Sequence, residues 1–194
     1  MTTARTITVD SAPATPWRNR GGVTRELLAW PGPTDWRLRI SVADIAADSP
    51  FSAFPGVRRW FTLLSGEGVA LDFAGTQQTL SPGDAPLAFD GAAAPGCRLM
   101  GGPVRDLNLM VRGGAGGMAA VSPGAIWQAP AGAQAGLFAR VPGRWRNGDQ
   151  QQSLPALSLL WFDTPPPGDW RFEPDNPAPA TGWWLHHMPQ GATP

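Results

Sequence analysis

The sequence predicts an all-β protein, and three observations support that prediction. The 194 residues include 24 Gly and 22 Pro, which favour tight turns, yet 42% of the chain is hydrophobic and ten residues are Trp. A chain with this much apolar bulk forms a core instead of staying disordered. Several segments alternate with the period of two that marks a strand, and no amphipathic helix of three turns is evident. Many short strands joined by such turns are typical of a sandwich or barrel.

Two long strands are predicted from strict alternation. Residues 36–43 place Trp36, Leu38, Ile40 and Val42 on one face, and the opposite face carries Arg39 and Ser41. Residues 104–112 behave in the same way, with aliphatic side chains on one face and Asp106, Asn108 and Met110 on the other. Such alternation indicates strands with one apolar face and one polar face.

Further elements follow from turn residues. Residues 60–64 and 69–73 flank Ser65-Gly66-Glu67-Gly68, which predicts a β-hairpin. The segment Ser81-Pro82-Gly83-Asp84 predicts a turn before a short strand at 85–89, because Pro sets φ and Gly accepts a positive φ. A glycine-rich segment at 113–117 predicts a flexible joint, and strands are expected beyond it at 137–141, 157–162 and 182–188.

Composition excludes several classes of function. Fifteen Arg balance fifteen Asp and Glu, so the chain lacks the basic excess that a nucleic-acid-binding protein needs. No run of about eighteen apolar residues is present, so no membrane span is expected. The lone Cys97 excludes an internal disulfide, and its apolar neighbours predict a buried structural thiol. With no signal peptide recognisable at the N-terminus, we expect a cytoplasmic protein.

Two segments are dense enough in functional groups to build a site. Residues 17–26 combine polar side chains with Gly21-Gly22, which allow either a close backbone approach or a positive φ, although a simple turn is the alternative. Residues 51–59 carry Phe51, Phe54 and two arginines on a proline-closed loop that precedes a strand. This loop either caps the mouth of a cavity or packs onto the core.

The sequence offers little support for a metal or a catalytic triad. The two histidines, His186 and His187, are adjacent, so on a strand they point to opposite faces. No His or Cys spacing typical of a metal site is present, and no G-x-S-x-G occurs. We therefore expect no metal and no other cofactor.

The polar strand faces predict a pocket. If they line the interior of a small barrel, Arg39, Asp106 and Asn108 meet there, and Arg59 reaches the rim. Buried charges persist when they are paired or serve a ligand. The alternative is that Arg39 and Asp106 form a structural ion pair or face solvent.

Four separated motifs between residues 17 and 112 make the chain resemble the HutD/Ves family. They begin with Trp17-x-Asn19-x-Gly21-Gly22-x-Thr24-x-Glu26 and Arg39-x-Ser41-x-Ala43, and they continue with Pro50-Phe51-Ser52-x-Phe54-Pro55-Gly56-x-x-Arg59 and Gly102-Pro103-Val104-x-Asp106-x-Asn108-x-Met110-x-Arg112. The segments around Gly66 and Gly83 also look like the strand and turn rhythm of a cupin, without the usual metal-binding histidines.

This resemblance implies a cupin-like double-stranded β-helix, an RmlC-like jelly roll with two cupin-like halves in one chain. Residues 1–194 then form one bicupin-like unit, with 1–115 as the half that carries the motifs and 116–194 as a second β-rich half. With the polar strand faces, it predicts that the ligand-binding residues are Trp17, Asn19, Gly21, Gly22, Thr24, Glu26, Arg39, Ser41, Phe51, Ser52, Phe54, Arg59, Asp106, Asn108 and Met110.

Three functional hypotheses stay open at this stage. The first is a metal-free binding protein for a small carboxylate. The resemblance implies that it is regulatory in or near histidine degradation, with formylglutamate or urocanate as the candidate partner. The second is a metal-independent cupin isomerase, epimerase or hydrolase with Glu26 or Asp106 as its base. The third is a stress or scaffold protein. Scarcity of His and the absence of Tyr favour the first, non-enzymatic reading. No nucleic-acid or membrane partner is expected, and a homodimer is left open.

Overall fold

The computed structural model describes residues 4–176 and 178–191, and these residues form an all-β structure. In chain order the strands are β1 (Ala4–Thr8), β2 (Ala14–Pro16), β3 (Gly22–Trp30), β4 (Leu38–Ile45), β5 (Ser49–Pro50), β6 (Val57–Ser65), β7 (Val69–Phe73), β8 (Thr76–Leu80), β9 (Leu87–Asp90), β10 (Gly96–Leu99), β11 (Val104–Arg112), β12 (Ala115–Ala120), β13 (Gln134–Ala139), β14 (Gly143–Asn147), β15 (Gln150–Leu154), β16 (Ser158–Phe162), β17 (Trp170–Pro174) and β18 (Gly182–Met188). The helical segments described are two single-turn 3-10 helices at Val9–Ser11 and Gly91–Ala93.

The chain divides into two compact units. The first unit spans residues 12–113, and the second contains residues 114–176 and 178–191 together with residues 4–11. Strand β1 belongs to the second unit because it pairs with β16 along its whole length. The interpretation of these units as two cupin-like halves stays a prediction.

The first unit contains two antiparallel sheets. Six strands follow the order β2-β3-β4-β11-β6-β9, and four follow the order β5-β10-β7-β8. Both sheets contribute to one apolar cluster, which includes Phe61 and Leu63 from the larger sheet and Leu71 and Cys97 from the smaller one. Cys97 is buried in that cluster, as predicted, and burial raises the pKa of its thiol to about 12.

The second unit also combines two sheets around a core. The strand orders are β1-β16-β13-β18-β12 and β15-β14-β17. Aromatic side chains dominate the core, in which Trp170 lies edge-on to Trp145 with 5.2 Å between the ring centroids. His187 is fully buried in this unit, and its Nδ1 lies 2.9 Å from Oε1 of Gln134.

The predicted strands at 104–112 and 182–188 are confirmed as β11 and β18. The strand expected at 36–43 starts two residues later, because Trp36 instead packs against Phe54 and under Arg112. The turn at 81–84 is confirmed, with Gly83 at a φ of 102°.

The predicted hairpin between residues 60–64 and 69–73 is wrong. Strand β6 pairs with β11 and β9, whereas β7 pairs with β8 and β10 in the other sheet. The connection through Gly66 and Gly68 therefore carries the chain from one sheet to the other. Because β6 and β7 lie in different sheets, apolar residues of both strands pack in the core between those sheets.

The glycine-rich joint is shorter than predicted. Gly113 and Gly114 have positive φ angles, but β12 begins at Ala115. Gly116 and Gly117 are strand residues because they pair with His187 and His186 of β18.

Gly22 supports the predicted close backbone approach. A Cβ atom at this position would overlap the carbonyl oxygen of Asp44 and lie 3.2 Å from the indole of Trp17. Neither Gly21 nor Gly22 has a positive φ, so packing and not backbone conformation requires the glycine.

Replacing Gly22 by Ala should therefore lower the free energy of unfolding by about 1–3 kcal/mol, the usual cost of overpacking. Chemical denaturation of the variant measures this loss. Gly32→Ala is the matched control, since an added Cβ there meets no atom of the described residues within 4 Å. Equal stability of the two variants would show that the contact with β4 relaxes freely.

Candidate functional site

The inner face of the larger sheet in the first unit carries a cavity of about 860 Å³. Strand register brings its polar residues together, because Glu26 on β3 pairs with Ser41 on β4, which in turn pairs with Asn108 on β11. Two residues along each strand, and therefore on the same face, Arg39 on β4 pairs with Met110 on β11, which pairs with Arg59 on β6. Four neighbouring strands thus contribute to one polar surface.

Thirteen of the fifteen residues predicted to bind a ligand line this cavity. They are Trp17, Asn19, Thr24, Glu26, Arg39, Ser41, Phe51, Ser52, Phe54, Arg59, Asp106, Asn108 and Met110. Gly21 and Gly22 are not among the lining residues, which corrects their placement. Gly21 instead donates its backbone N–H to Oδ1 of Asn19 at 3.0 Å, and Gly22 packs against Trp17.

Arg59 is the most enclosed cation of the cavity. Only 6% of it is exposed, so the expectation that it sits at the rim is wrong. Its guanidinium lies 4.8 Å from the ring centroid of Phe51, 5.9 Å from Phe54 and 5.1 Å from Phe89. Contact with aromatic rings offsets part of the cost of burying the charge.

A chain of hydrogen bonds links Arg59 to Asp106. Nη2 of Arg59 donates to Oδ1 of Asn108 at 2.8 Å, and Nδ2 of Asn108 donates to Oδ1 of Asp106. Nε of Arg59 is buried and has no hydrogen-bond partner among the residues that the structure describes. Burial lowers the pKa of Arg59 to about 10, while the charge of Asp106 opposes that shift.

The two carboxyl groups of the cavity have different environments. Glu26 accepts a hydrogen bond from Nε of Arg39 at 2.8 Å, and both side chains remain partly exposed. Asp106 is only 1% exposed, and burial raises its pKa to about 8, although Arg59 and Asn108 act to lower it. The suggested ion pair between Arg39 and Asp106 is therefore wrong, because Arg39 pairs with Glu26.

Five residues of the site were not predicted from the sequence. Thr15, Pro16, Arg18 and Ala43 also line the cavity, and Phe89 contacts Arg59. Ala43 continues the period of two that starts at Arg39 and Ser41, so alternation could have identified it. Arg18 lies on the turn before β3, where alternation gives no signal.

The lining does not match a metal centre of the usual cupin kind. It contains no His or Cys, and its two carboxyl groups are engaged by Arg39 and Asn108. Within residues 4–176 and 178–191, no group of three or more His, Cys, Asp or Glu could hold a metal ion.

Elemental analysis of the purified protein should therefore find only traces of transition metals, since oxygen donors already paired to Arg or Asn bind them poorly. A full equivalent of Fe, Mn, Ni or Zn that survives dialysis against a chelator would contradict this expectation.

The strand topology and the polar cavity define a cupin-like, all-β protein, and comparison with known proteins identifies its family. The HutD family model matches residues 10–177, so the chain belongs to the HutD family. A crystal structure of a conserved protein of unknown function from Pseudomonas aeruginosa PAO1 aligns with a TM-score of 0.80 and 25% identity, covering 95% of this chain and 96% of that one. HutD from Pseudomonas fluorescens SBW25 aligns with a TM-score of 0.80 and 24% identity, over 97% and 99% of the two chains.

Curated relatives match over a shorter segment. An uncharacterised 21.2 kDa protein from the hutC 3' region of Pseudomonas putida is 36% identical over 113 residues, which span 57% of this chain and 59% of that protein. Protein Ves from Citrobacter koseri is 38% identical over 102 residues, 52% of this chain and 53% of that protein. The match thus spans little more than half the length of these relatives.

Residues 4–176 and 178–191 contain no helix with the length and hydropathy that a membrane-spanning helix requires.

Proposed function

We propose that this HutD-family protein binds a small carboxylate-bearing metabolite in the cavity of its first unit, without metal and without catalysis. Formylglutamate and urocanate, two histidine-degradation intermediates, are the candidate ligands, and the proposed role is regulatory in or near that pathway. The relative from the hutC 3' region of Pseudomonas putida supports the link to histidine utilisation. A cytoplasmic location belongs to the same proposal.

The observation that carries the proposal is the buried Arg59 with its unbonded Nε. An unsatisfied charged donor in a buried place is costly, and a carboxylate is the group that pairs best with a guanidinium. Arg18 and Arg39 also line the cavity, so three cations face Glu26 and a largely neutral Asp106. The cavity therefore has a positive excess, although the whole chain has a net charge of zero.

A thermal-shift screen tests the proposal, with formylglutamate, urocanate and related dicarboxylates as probes. A ligand present at a hundredfold excess over its Kd stabilises the folded state by about 2.7 kcal/mol. Matched probes with the carboxylates converted to amides serve as controls, because they keep the shape and lose the charge. Absence of a shift with every carboxylate would overturn the proposal.

An enzyme is the second candidate, and the raised pKa of Asp106 favours it. A neutral, enclosed carboxyl group could act as a general acid in an isomerase, epimerase or hydrolase. Incubation of each bound probe with the protein, followed by NMR, would detect turnover. Glu26 is a weaker candidate base because Arg39 holds it in an ion pair.

The third hypothesis, a stress or scaffold protein whose surface contacts another protein, would be favoured by a large exposed patch of tryptophans. The large hydrophobic side chains that are exposed in the described residues are Met100 and Ile126, and none is Trp.

A further inference from the structure

Asp106 differs from ordinary buried acids in that no cation among the described residues forms an ion pair with it. Its side-chain hydrogen bond comes from the neutral amide of Asn108. Its cross-strand neighbours on the same face are Ala43 of β4 and Leu63 of β6, both buried and apolar. A carboxyl group in such surroundings favours its uncharged form.

Arg59 determines which oxygen of Asp106 carries the proton. A guanidinium can only donate hydrogen bonds, so the atom of Asn108 that faces it must be the carbonyl oxygen. The amide NH₂ of Asn108 is thereby directed to Oδ1 of Asp106, which acts as acceptor. The acidic proton of a neutral Asp106 then resides on Oδ2.

We propose that Asp106 binds the ligand as a neutral carboxylic acid that donates its Oδ2–H, so that carboxylate binding is lost when Asp106 ionises. This inference rests on the proposed function and specifies how the same cavity responds to pH. Arg59 and the acid then act together, since both are donors and a carboxylate ligand is an acceptor.

The other charged groups around Asp106 lie on the neighbouring strands of both sheets. Glu26 of β3 is paired with Arg39 of β4. Asp44 of β4 has its pKa lowered by Arg105, while the raised pKa of the Cys97 thiol on β10 keeps it neutral up to about pH 12. The pKa of Arg59 on β6 lies at about 10, so its guanidinium is still charged around pH 8, where Asp106 changes its charge.

The expected effect is a loss of affinity in alkaline solution. Only the protein with a neutral Asp106 binds in this proposal. The apparent Kd therefore equals the Kd of that form divided by its fraction of the population. For a group with a pKa of about 8, the apparent Kd of a carboxylate should be about tenfold higher at pH 9 than at pH 7.

Isothermal titration with formylglutamate at pH 6, 7, 8 and 9 measures this effect, because the carboxylates of that probe remain ionised throughout. Asp106→Asn is the informative variant, since Asn keeps the acceptor for Asn108 and offers an N–H donor that cannot ionise. The variant should bind with an affinity that does not change between pH 7 and 9. Glu26→Gln is the matched control, and it should retain the tenfold pH dependence whatever its own affinity.

A second measurement does not depend on the variants folding. The carboxyl carbon of Asp106 in the ligand-free wild type, followed by NMR, should titrate near pH 8, and formylglutamate should move that titration to higher pH.

The outcomes separate this inference from the proposed function. Failure of formylglutamate to bind at pH 7 overturns the ligand assignment and the inference with it. Binding that is equally strong at pH 7 and 9, or an Asp106 carboxyl that titrates near pH 4, overturns the inference and leaves carboxylate binding established. Tenfold weakening in the wild type that disappears in Asp106→Asn supports both.

Discussion

Replacing Arg59 by Ala should weaken carboxylate binding by about 2–5 kcal/mol, a loss typical of truncating one partner of a desolvated charge pair. The guanidinium is almost fully enclosed and sits against three phenylalanine rings, so water screens its charge poorly. At about 1.4 kcal/mol per tenfold change in Kd, the loss corresponds to at least a thirtyfold weaker complex. Isothermal titration with the carboxylate that stabilises the wild type measures it.

Arg58→Ala is the matched control for this experiment. Arg58 is the preceding residue of β6 and is exposed on the opposite face, so its removal changes the net charge equally but leaves the cavity intact. Arg59→Lys adds a second comparison, because Lys keeps the charge and loses the planar fork that grips a carboxylate. Unchanged affinity in Arg59→Ala would remove this arginine from the binding site.

Two of the strands that build the cavity, β4 and β11, could be predicted because each has one polar and one apolar face. On β11 the polar face carries Asp106 and Asn108, and the opposite face carries Leu107 and Leu109. A period of two reports the face of a side chain directly. The prediction that these faces meet in one site also required a small barrel, which the family resemblance implied.

Pairings across the site could not be predicted in the same way. Alternation does not reveal that Glu26, and not Asp106, is the partner of Arg39. That choice depends on the register of β3 against β4 and on the irregularity after Glu26.

The wrong prediction of a hairpin between residues 60–64 and 69–73 has a similar origin. A turn sequence such as Ser65–Gly68 reverses the chain, but it does not determine whether the next strand joins the same sheet.

The burial of Arg59 depends on residues that are distant in the sequence. Phe51 and Phe54 come from the loop after β5, and Phe89 comes from β9, which pairs with β6 opposite Arg59. Local sequence places an arginine near the start of a strand, where exposure is the ordinary expectation. Tertiary packing of the three rings reverses that expectation, so it became visible only in the structure.

A carboxyl group that is neutral in the folded state also affects stability. Its folded and unfolded pKa values determine whether the free energy of unfolding rises or falls with pH. Asp106 titrates near pH 8 when folded and near pH 4 when unfolded. Between these values the folded state holds one more proton than the unfolded state, so the free energy of unfolding falls as pH rises. The stabilising contribution of Asp106 is complete below about pH 4 and is lost once pH has passed about 8.

We therefore expect the ligand-free wild type to lose stability relative to Asp106→Asn by about 1.4 kcal/mol per pH unit, or roughly 4 kcal/mol between pH 5 and 8. Urea denaturation of both proteins at each pH measures the difference. The comparison cancels groups that the two proteins share, such as His186, whose pKa is lowered by burial and whose effect has the opposite sign.

Asp44→Asn provides the matched control, because Asp44 has its pKa lowered by Arg105 and stays ionised throughout this range. That variant should follow the slope of the wild type at every pH. A constant difference between wild type and Asp106→Asn from pH 5 to 8 would mean that Asp106 is already ionised when folded. If the difference instead grows by about 1.4 kcal/mol per pH unit, the folded chain keeps Asp106 as an acid at a cost in stability that Asn does not have. Such a cost is expected where a polar side chain serves a ligand and not the fold.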